Sequence, residues 1–361
     1  MHEPTTYRRA SVAAGRLRKP VQMQRPETAI GFGHTSAAAA AAAVSFSTAA
    51  PPRRINKHII TAANTGDMVT LISVIAGHIA DMNLVNLSTS LHRMARLAVT
   101  SVQCEFGLGS NPVVCALLSL TRSKLGQATI QDLQQTLSNI AWSLATLHIV
   151  DEELLIVVGE LAQEGLEGFK PFELSMLLWS FGELFGSRGL PNNAKQLFWM
   201  ASSQICQNLK SFDFRCLANI VWAYATMGLR DAQLFQQISR EMAKTTETAS
   251  CQSIANTIWA YSTVKLGDDN LFKALTGAAM PMMRTFTAQE LSGLFRDLAS
   301  SGFAGEDFFN MALPTACTLD LEPQQLTDIV WACAEAFPTP SLTRSALLKL
   351  LPQAAQKFSA F

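Results

Sequence analysis

The sequence predicts an all-α fold, an α-solenoid of helix-turn-helix repeats with a period near 37 residues, and three observations carry that expectation. One apolar phrase recurs along the chain, its internal spacing is helical, and capping residues bracket its copies. The copies read LSNIAWSLA from Leu137, LSMLLWSFG from Leu174, LANIVWAYA from Leu217, IANTIWAYS from Ile254, LSGLFRDLA from Leu291 and LTDIVWACA from Leu326, with a divergent LSTSLHRMA from Leu87. After a first step of 50 residues the starts are 37, 43, 37, 37 and 35 residues apart. Such a period is too long for a leucine-rich repeat and suits paired helices, each pair burying its apolar faces against the next.

Taken in chain order, residues 1–54 differ in composition from the rest. They carry eight basic residues against Glu3 and Glu27, are rich in Ser, Ala and Pro, and end in Pro51, Pro52, Arg53 and Arg54. That is the composition of an organellar transit peptide. A mitochondrial address is favoured over a chloroplast one, and an unprocessed disordered tail is the alternative. Residues 55–361 are expected to form the repeat domain. They hold 20 basic and 26 acidic side chains, although the whole chain, with 28 of each, is formally neutral.

Within the third copy, Leu217, Ile220, Val221 and Tyr224 fall at i, i+3, i+4 and i+7, one apolar stripe of a helix. Thr287 with Glu290 makes a capping box, and Pro171 and Pro323 suit a first helical turn. Gly228 and Gly302 mark stops, since glycine readily takes the left-handed conformation past a helix end. A second helix should follow each phrase, as around Leu234, Phe235, Ile238 and Met242, or Leu271, Phe272 and Leu275. Ala218 and Ala225 flank the stripe, where they would admit a close neighbour, and Trp222 lies about 140° from its centre at the helical turn of 100° per residue. Equivalent places belong to Trp142, Trp179, Trp259 and Trp331. These indoles either stack on bases or fill the core between repeats, and the second reading is favoured by the apolar phrase around them.

The seven cysteines are scattered without ligand spacing and read as reduced core thiols. No run reaches the roughly 18 apolar residues of a membrane helix. P-loop, HExxH, GxSxG and calcium-loop motifs are absent, and no histidine stands in a triad-like setting. A non-catalytic protein without cofactor, metal or small-molecule substrate is expected.

The phrase LANIVWAYATMGLRD from Leu217, followed by a second helix at this period, resembles the octotricopeptide-type repeat of organellar RNA-binding proteins and is similar to the helical repeats of the FAST-kinase-domain family. The resemblance covers about Ile55 to Phe361. It implies an α-solenoid that binds single-stranded organellar RNA in transcript processing, stability or translation, alongside other RNA-processing proteins. Neither a PPPEW-like segment nor the RAP domain that often follows such arrays is found, so no nuclease-like activity is expected. The alternative on the same architecture is a protein-interaction scaffold.

Charge suggests where RNA would lie, because phosphate contacts dominate affinity. From Asp151 to Glu183 there are eight acids and one base, Lys170, whereas from Arg188 to Lys244 there are seven bases and three acids. The second stretch, Arg230 included, is the expected phosphate track, with Arg188, Lys195, Lys210, Arg215, Arg240 and Lys244 as its candidate contacts and ordinary charge scatter as the alternative. The third position of each phrase holds Thr89, Asn139, Met176, Asn219, Asn256, Gly293 and Asp328. Solenoid readers present one polar residue per repeat, and an amide can donate and accept, so Asn219 and Asn256 are candidate base readers. The alternative is that these amides satisfy backbone groups between helices. Arg296 stands where other copies have Trp or His92, either facing RNA or covering the last repeats with its stem.

Overall fold

The computed structural model describes residues 51–100, 107–186, 192–303 and 305–336, with 344, 348–353 and 355 beyond them. The leader up to residue 50, Cys104 and Arg188 lie outside the described residues. Among the described residues there are fifteen α-helices up to residue 336, a further helical stretch over 348–353, and no strand. They run as pairs: α1 (Pro52–Ala63) and α2 (Met68–His78), α3 (Leu84–Thr100) and α4 (Pro112–Leu125), α5 (Gln134–Thr146) and α6 (Glu152–Glu164), α7 (Pro171–Phe185) and α8 (Asn192–Gln207), α9 (Phe214–Thr226) and α10 (Ala232–Met242). Then come α11 (Cys251–Thr263) and α12 (Asp269–Ala279), α13 (Ala288–Ser300) and α14 (Glu306–Ala316), and α15 (Pro323–Ala336). Each odd-numbered helix packs on the next odd one from α1 to α15, and the even helices from α2 to α12 pack likewise on one another. The result is an α-solenoid of two layers, an inner one that holds every copy of the phrase and an outer one. Pro52, Arg53 and Arg54, at the end of the leader-like composition, form the first turn of α1.

The apolar stripe explains the layering. Leu217, Ile220, Val221 and Tyr224 are all buried, and Tyr224 donates its hydroxyl to the Phe198 carbonyl of α8 at 2.5 Å. One repeat later, Tyr261 donates to the Phe235 carbonyl of α10 at 2.7 Å. Both tyrosines meet those phenylalanines edge-on with centroids 5.0 Å apart, a favoured aromatic geometry. A second tie links successive outer helices. Asp231 and Asp268 cap α10 and α12, and each also accepts a hydroxyl 29 residues upstream, from Ser202 and Ser239 respectively. Arg122 reaches Asp151, the cap of α6, across the same separation at 3.0 Å. Apolar burial brings the repeats together, and these polar bonds set their register.

Starts and stops follow the expected chemistry. The Glu290 amide donates to Thr287 Oγ1 at 3.2 Å while the Thr287 amide donates to Glu290 Oε2 at 2.8 Å. Gly228 and Gly302 have φ of 67° and 77°. His148 and Lys265 take the equivalent left-handed place after α5 and α11 at φ of 52° and 55°. The neighbouring amides close the same turn: Leu229 and Leu266 donate to the carbonyls of Tyr224 and Tyr261. The α7–α9 seam of the inner layer is close at Gly182, where a Cβ would sit 3.2 Å from Ala223 Cα and 3.3 Å from the Trp222 ring. Ala218 and Ala225 are buried nearby on the same helix.

None of the described cysteines forms a disulfide. Burial pushes the Cys216 and Cys333 thiols up to about 12, so both stay protonated and unreactive at neutral pH. No described helix is long and apolar enough to cross a membrane.

Candidate nucleic-acid interface

The third and sixth positions of the phrase are one helical turn apart and lie away from the stripe that faces the outer layer. At the sixth position the inner helices form a row of rings. Trp222 lies 6.3 Å from Trp179 on one side and 6.3 Å from Trp259 on the other, each pair tilted. His92 lies 5.1 Å from Trp142. Trp142, Trp179 and Trp222 are buried and Trp259 is half-buried, so in the middle of the array the indoles fill the seams between repeats. Trp331 at the end of the array is 43% exposed and could offer a face to a base.

Beside these rings, Asn219 and Asn256 are buried. Neither the Nδ2 nor the Oδ1 of Asn219 has a hydrogen-bond partner within the protein, and the Nδ2 of Asn256, the Oδ1 of Asn139 and the Nε1 of Trp179 also lack one. Asn219 therefore satisfies no backbone group, and it is covered rather than displayed. Each such group carries an unmet hydrogen-bonding capacity that costs about 1–3 kcal/mol in a dry site. Arg296 Nε lies 3.2 Å from Asp297 and its Nη1 3.4 Å from Asp328, so its charge is matched by two carboxylates. That second contact links the sixth position of α13 to the third position of α15.

The basic residues divide between two places. Lys195 and Arg240 are exposed on α8 and α10 in the outer layer. Lys210, Arg215 and Lys244 gather at the edge where an outer helix hands over to the next inner one. Lys210 is exposed in the 3-10 turn Leu209–Ser211 before α9, and Lys244 is exposed between α10 and the turn that leads to α11. Arg215, in the first turn of α9, holds its guanidinium 6.0 Å from the centre of the Phe172 ring in the first turn of α7. Two further bases belong to that edge and were not singled out from the sequence: Lys170 at the N-cap of α7, and Arg284 in the turn Met280–Thr285 before α13. Their signal was positional, one exposed base before each inner helix from α7 to α13. Lys170 and Lys244 keep exposed side chains while pairing with the covered carboxylates of Glu173 at 3.9 Å and Glu241 at 3.2 Å. Such pairs contribute about 0–1 kcal/mol and are readily exchanged for phosphate.

Several acids of the stretch from Asp151 to Glu183 are built into the scaffold. Asp151 caps α6 and, with Glu153, binds Arg122. The Glu173 carboxylate accepts the Lys170 amide at 3.2 Å. Burial raises the pKa of Glu183 above the ordinary carboxylate value, opposed by His148, and its Oε2 has no partner. The folded carboxyl thus keeps its proton to higher pH than the unfolded one. The fold loses stability as pH rises from the unfolded value through the raised folded value, and the loss is complete above it. Glu183→Gln is accordingly expected to raise Tm at pH 8 and leave it nearly unchanged near pH 4. An equal shift at both pH values in thermal denaturation would exclude a buried charge as the cause.

No curated protein matches the chain. A family model described as RNA-editing substrate-binding complex 6 protein matches residues 116–344, from within α4 to beyond α15. That span is well over half of the chain and contains every copy of the phrase from Leu137 onward, together with the indoles from Trp142 to Trp331 and the basic edge from Lys170 to Arg284. The chain belongs to the RNA-editing substrate-binding complex 6 protein family.

Proposed function

We propose that this protein is a non-catalytic, mitochondrial RNA-binding factor, an α-solenoid that holds single-stranded RNA within a larger RNA-editing assembly. The observation that carries the reading is the family match over the repeat array, whose description joins an RNA-editing substrate to a multi-subunit complex. The likeness of the phrase to organellar RNA-binding repeats points the same way, and the transit-like composition of residues 1–54 supports the mitochondrion. Phosphates run along the edge formed by Lys170, Lys210, Arg215, Lys244 and Arg284, and bases reach the exposed indole at Trp331 and the half-buried one at Trp259.

Equilibrium binding of the full chain to single-stranded RNA across several salt concentrations, with double-stranded DNA as control, tests the proposal. RNA-selective binding is expected, with log affinity falling linearly in log salt at about 0.7 per phosphate neutralised. Absence of binding at low salt would refute it. The second reading, a scaffold for protein subunits, is favoured by the excess of six acids over residues 55–361. It predicts partner binding with little salt dependence.

A further inference from the structure

The first helix pair carries a cavity that the repeat array does not account for. Arg54, Lys57, His58, Thr61 and Thr65 recur along α1 at steps of three, one, three and four residues, which places them on one face of the helix and its end. With Thr70 and Val74 of α2 they line a cavity of about 620 Å³. That volume falls in the range of about 300–1,000 Å³ typical of ligand sites. Arg54 and Lys57 are exposed and bring two permanent positive charges to it. On the same wall, half-buried His58 holds its Nδ1 2.9 Å from Nε2 of His78, one turn beyond Val74 on α2.

The polar groups on this wall are unequally committed. Thr65 donates its hydroxyl to the Ala62 carbonyl at 2.7 Å, and Thr70 donates to Asp67. Asp67 is the acid beside the cavity, and it is occupied as the N-cap of α2, accepting the amides of Val69 and Thr70 as well. The hydrogen bond between the two histidines uses one ring nitrogen of each and leaves the other two, Nε2 of His58 and Nδ1 of His78, for a further partner. Burial, together with the charges of His78, Arg54 and Lys57, lowers the pKa of His58. Arg54 and Lys57 thus bring two permanent positive charges to this wall against the single carboxylate of Asp67 beside it.

We propose that the α1–α2 cavity binds a phosphate group of an RNA chain, with Arg54 and Lys57 supplying the charge and the His58–His78 pair a ring N–H donor. The anchor rests on the RNA-binding reading above, and it lies outside the matched residues 116–344 and apart from the edge that runs from Lys170 to Arg284. A guanidinium, an ammonium and an imidazole around one cavity suit a tetrahedral oxyanion better than a neutral ligand.

The test uses the full chain and two readouts. The imidazole resonances of His58 and His78 are followed by NMR during titration with inorganic phosphate at fixed pH and ionic strength, with sodium chloride as control. RNA affinity is then measured for the double variant Arg54→Gln and Lys57→Gln, against Lys170→Gln as a charge control on the other track. Expected are saturable shifts of both histidines with phosphate and not with chloride, lost in the double variant. The double variant should also bind RNA about tenfold more weakly, with a salt slope smaller by about 1.4, two single-strand phosphate contacts at about 0.7 each. RNA binding that is unchanged in the double variant, with histidines that do not respond to phosphate, would overturn this site while the RNA reading stands. Saturable phosphate shifts in a protein that binds no RNA at any salt would overturn the assignment to RNA and leave a small phosphate compound as the occupant. Both variants replace exposed side chains, so loss of folding does not confound the result.

Discussion

Trp222→Ala is expected to destabilise the fold by about 3–5 kcal/mol, the range for removing a large aromatic side chain from a packed core. Trp222 is 1% exposed, stands between Trp179 and Trp259, and abuts the Gly182 seam. Its loss opens two inter-repeat interfaces at once. A solenoid is stabilised largely by nearest-neighbour interfaces, so damage in the middle of the array should uncouple its two halves. Thermal unfolding should then show two transitions instead of one, and hydrogen exchange should quicken in α7, α9 and α11 before α3 and α5. Trp331→Ala, at an exposed position, should cost much less. Equal losses from the two substitutions would contradict the assignment of Trp222 to the core between repeats.

The repeat architecture was legible because each copy of the phrase solves the same burial problem, so the pattern is written several times over. The second helices around Leu234 and Leu271 were legible for the same reason. What stayed hidden depends on neighbours across the array. Ser202 and Asp231, or Ser239 and Asp268, meet only because successive outer helices are in register at 29 residues. His148 and Lys265 occupy left-handed positions that glycine marks elsewhere, and nothing local announces them. The third-position asparagines were visible as a row, but whether they face solvent is decided by packing against the neighbouring inner helices, which buries Asn219 and Asn256. Charge was the least legible property. A window of some 50 residues passes through the inner layer, the outer layer and both edges, so its sum is not the charge of any surface. The stretch from Arg188 to Lys244 accordingly mixes an outer pair, Lys195 and Arg240, with an edge trio, Lys210, Arg215 and Lys244. Lys170 and Arg284 fell outside that window although they belong to the same edge.

Reversing the edge charges should have the largest effect on RNA. The triple variant Lys210→Glu, Lys244→Glu and Arg284→Glu removes three exposed positive charges at successive repeats and puts three negative ones in their place. Loss of three single-strand contacts lowers the salt slope by about 2, and repulsion from the new carboxylates adds to that loss, so affinity at low salt should fall on the order of 100-fold or more. The fall should be similar for every RNA sequence, because phosphates carry no sequence information. The paired reversal Lys195→Glu and Arg240→Glu changes two-thirds as much charge, on the outer layer. It alters the protein's general attraction for polyanions without removing an edge contact, so it should weaken binding several-fold and leave the slope nearly intact. Comparing the two variants therefore separates contact from long-range attraction. A larger slope change from the outer pair would move the phosphate track to the outer helices, and equal effects per unit of charge changed would mean that RNA is held by net charge alone. Arg215→Ala tests the inner end of the edge: it should weaken binding to all sequences and, by losing the contact with Phe172, destabilise the fold by only about 0.5–1 kcal/mol.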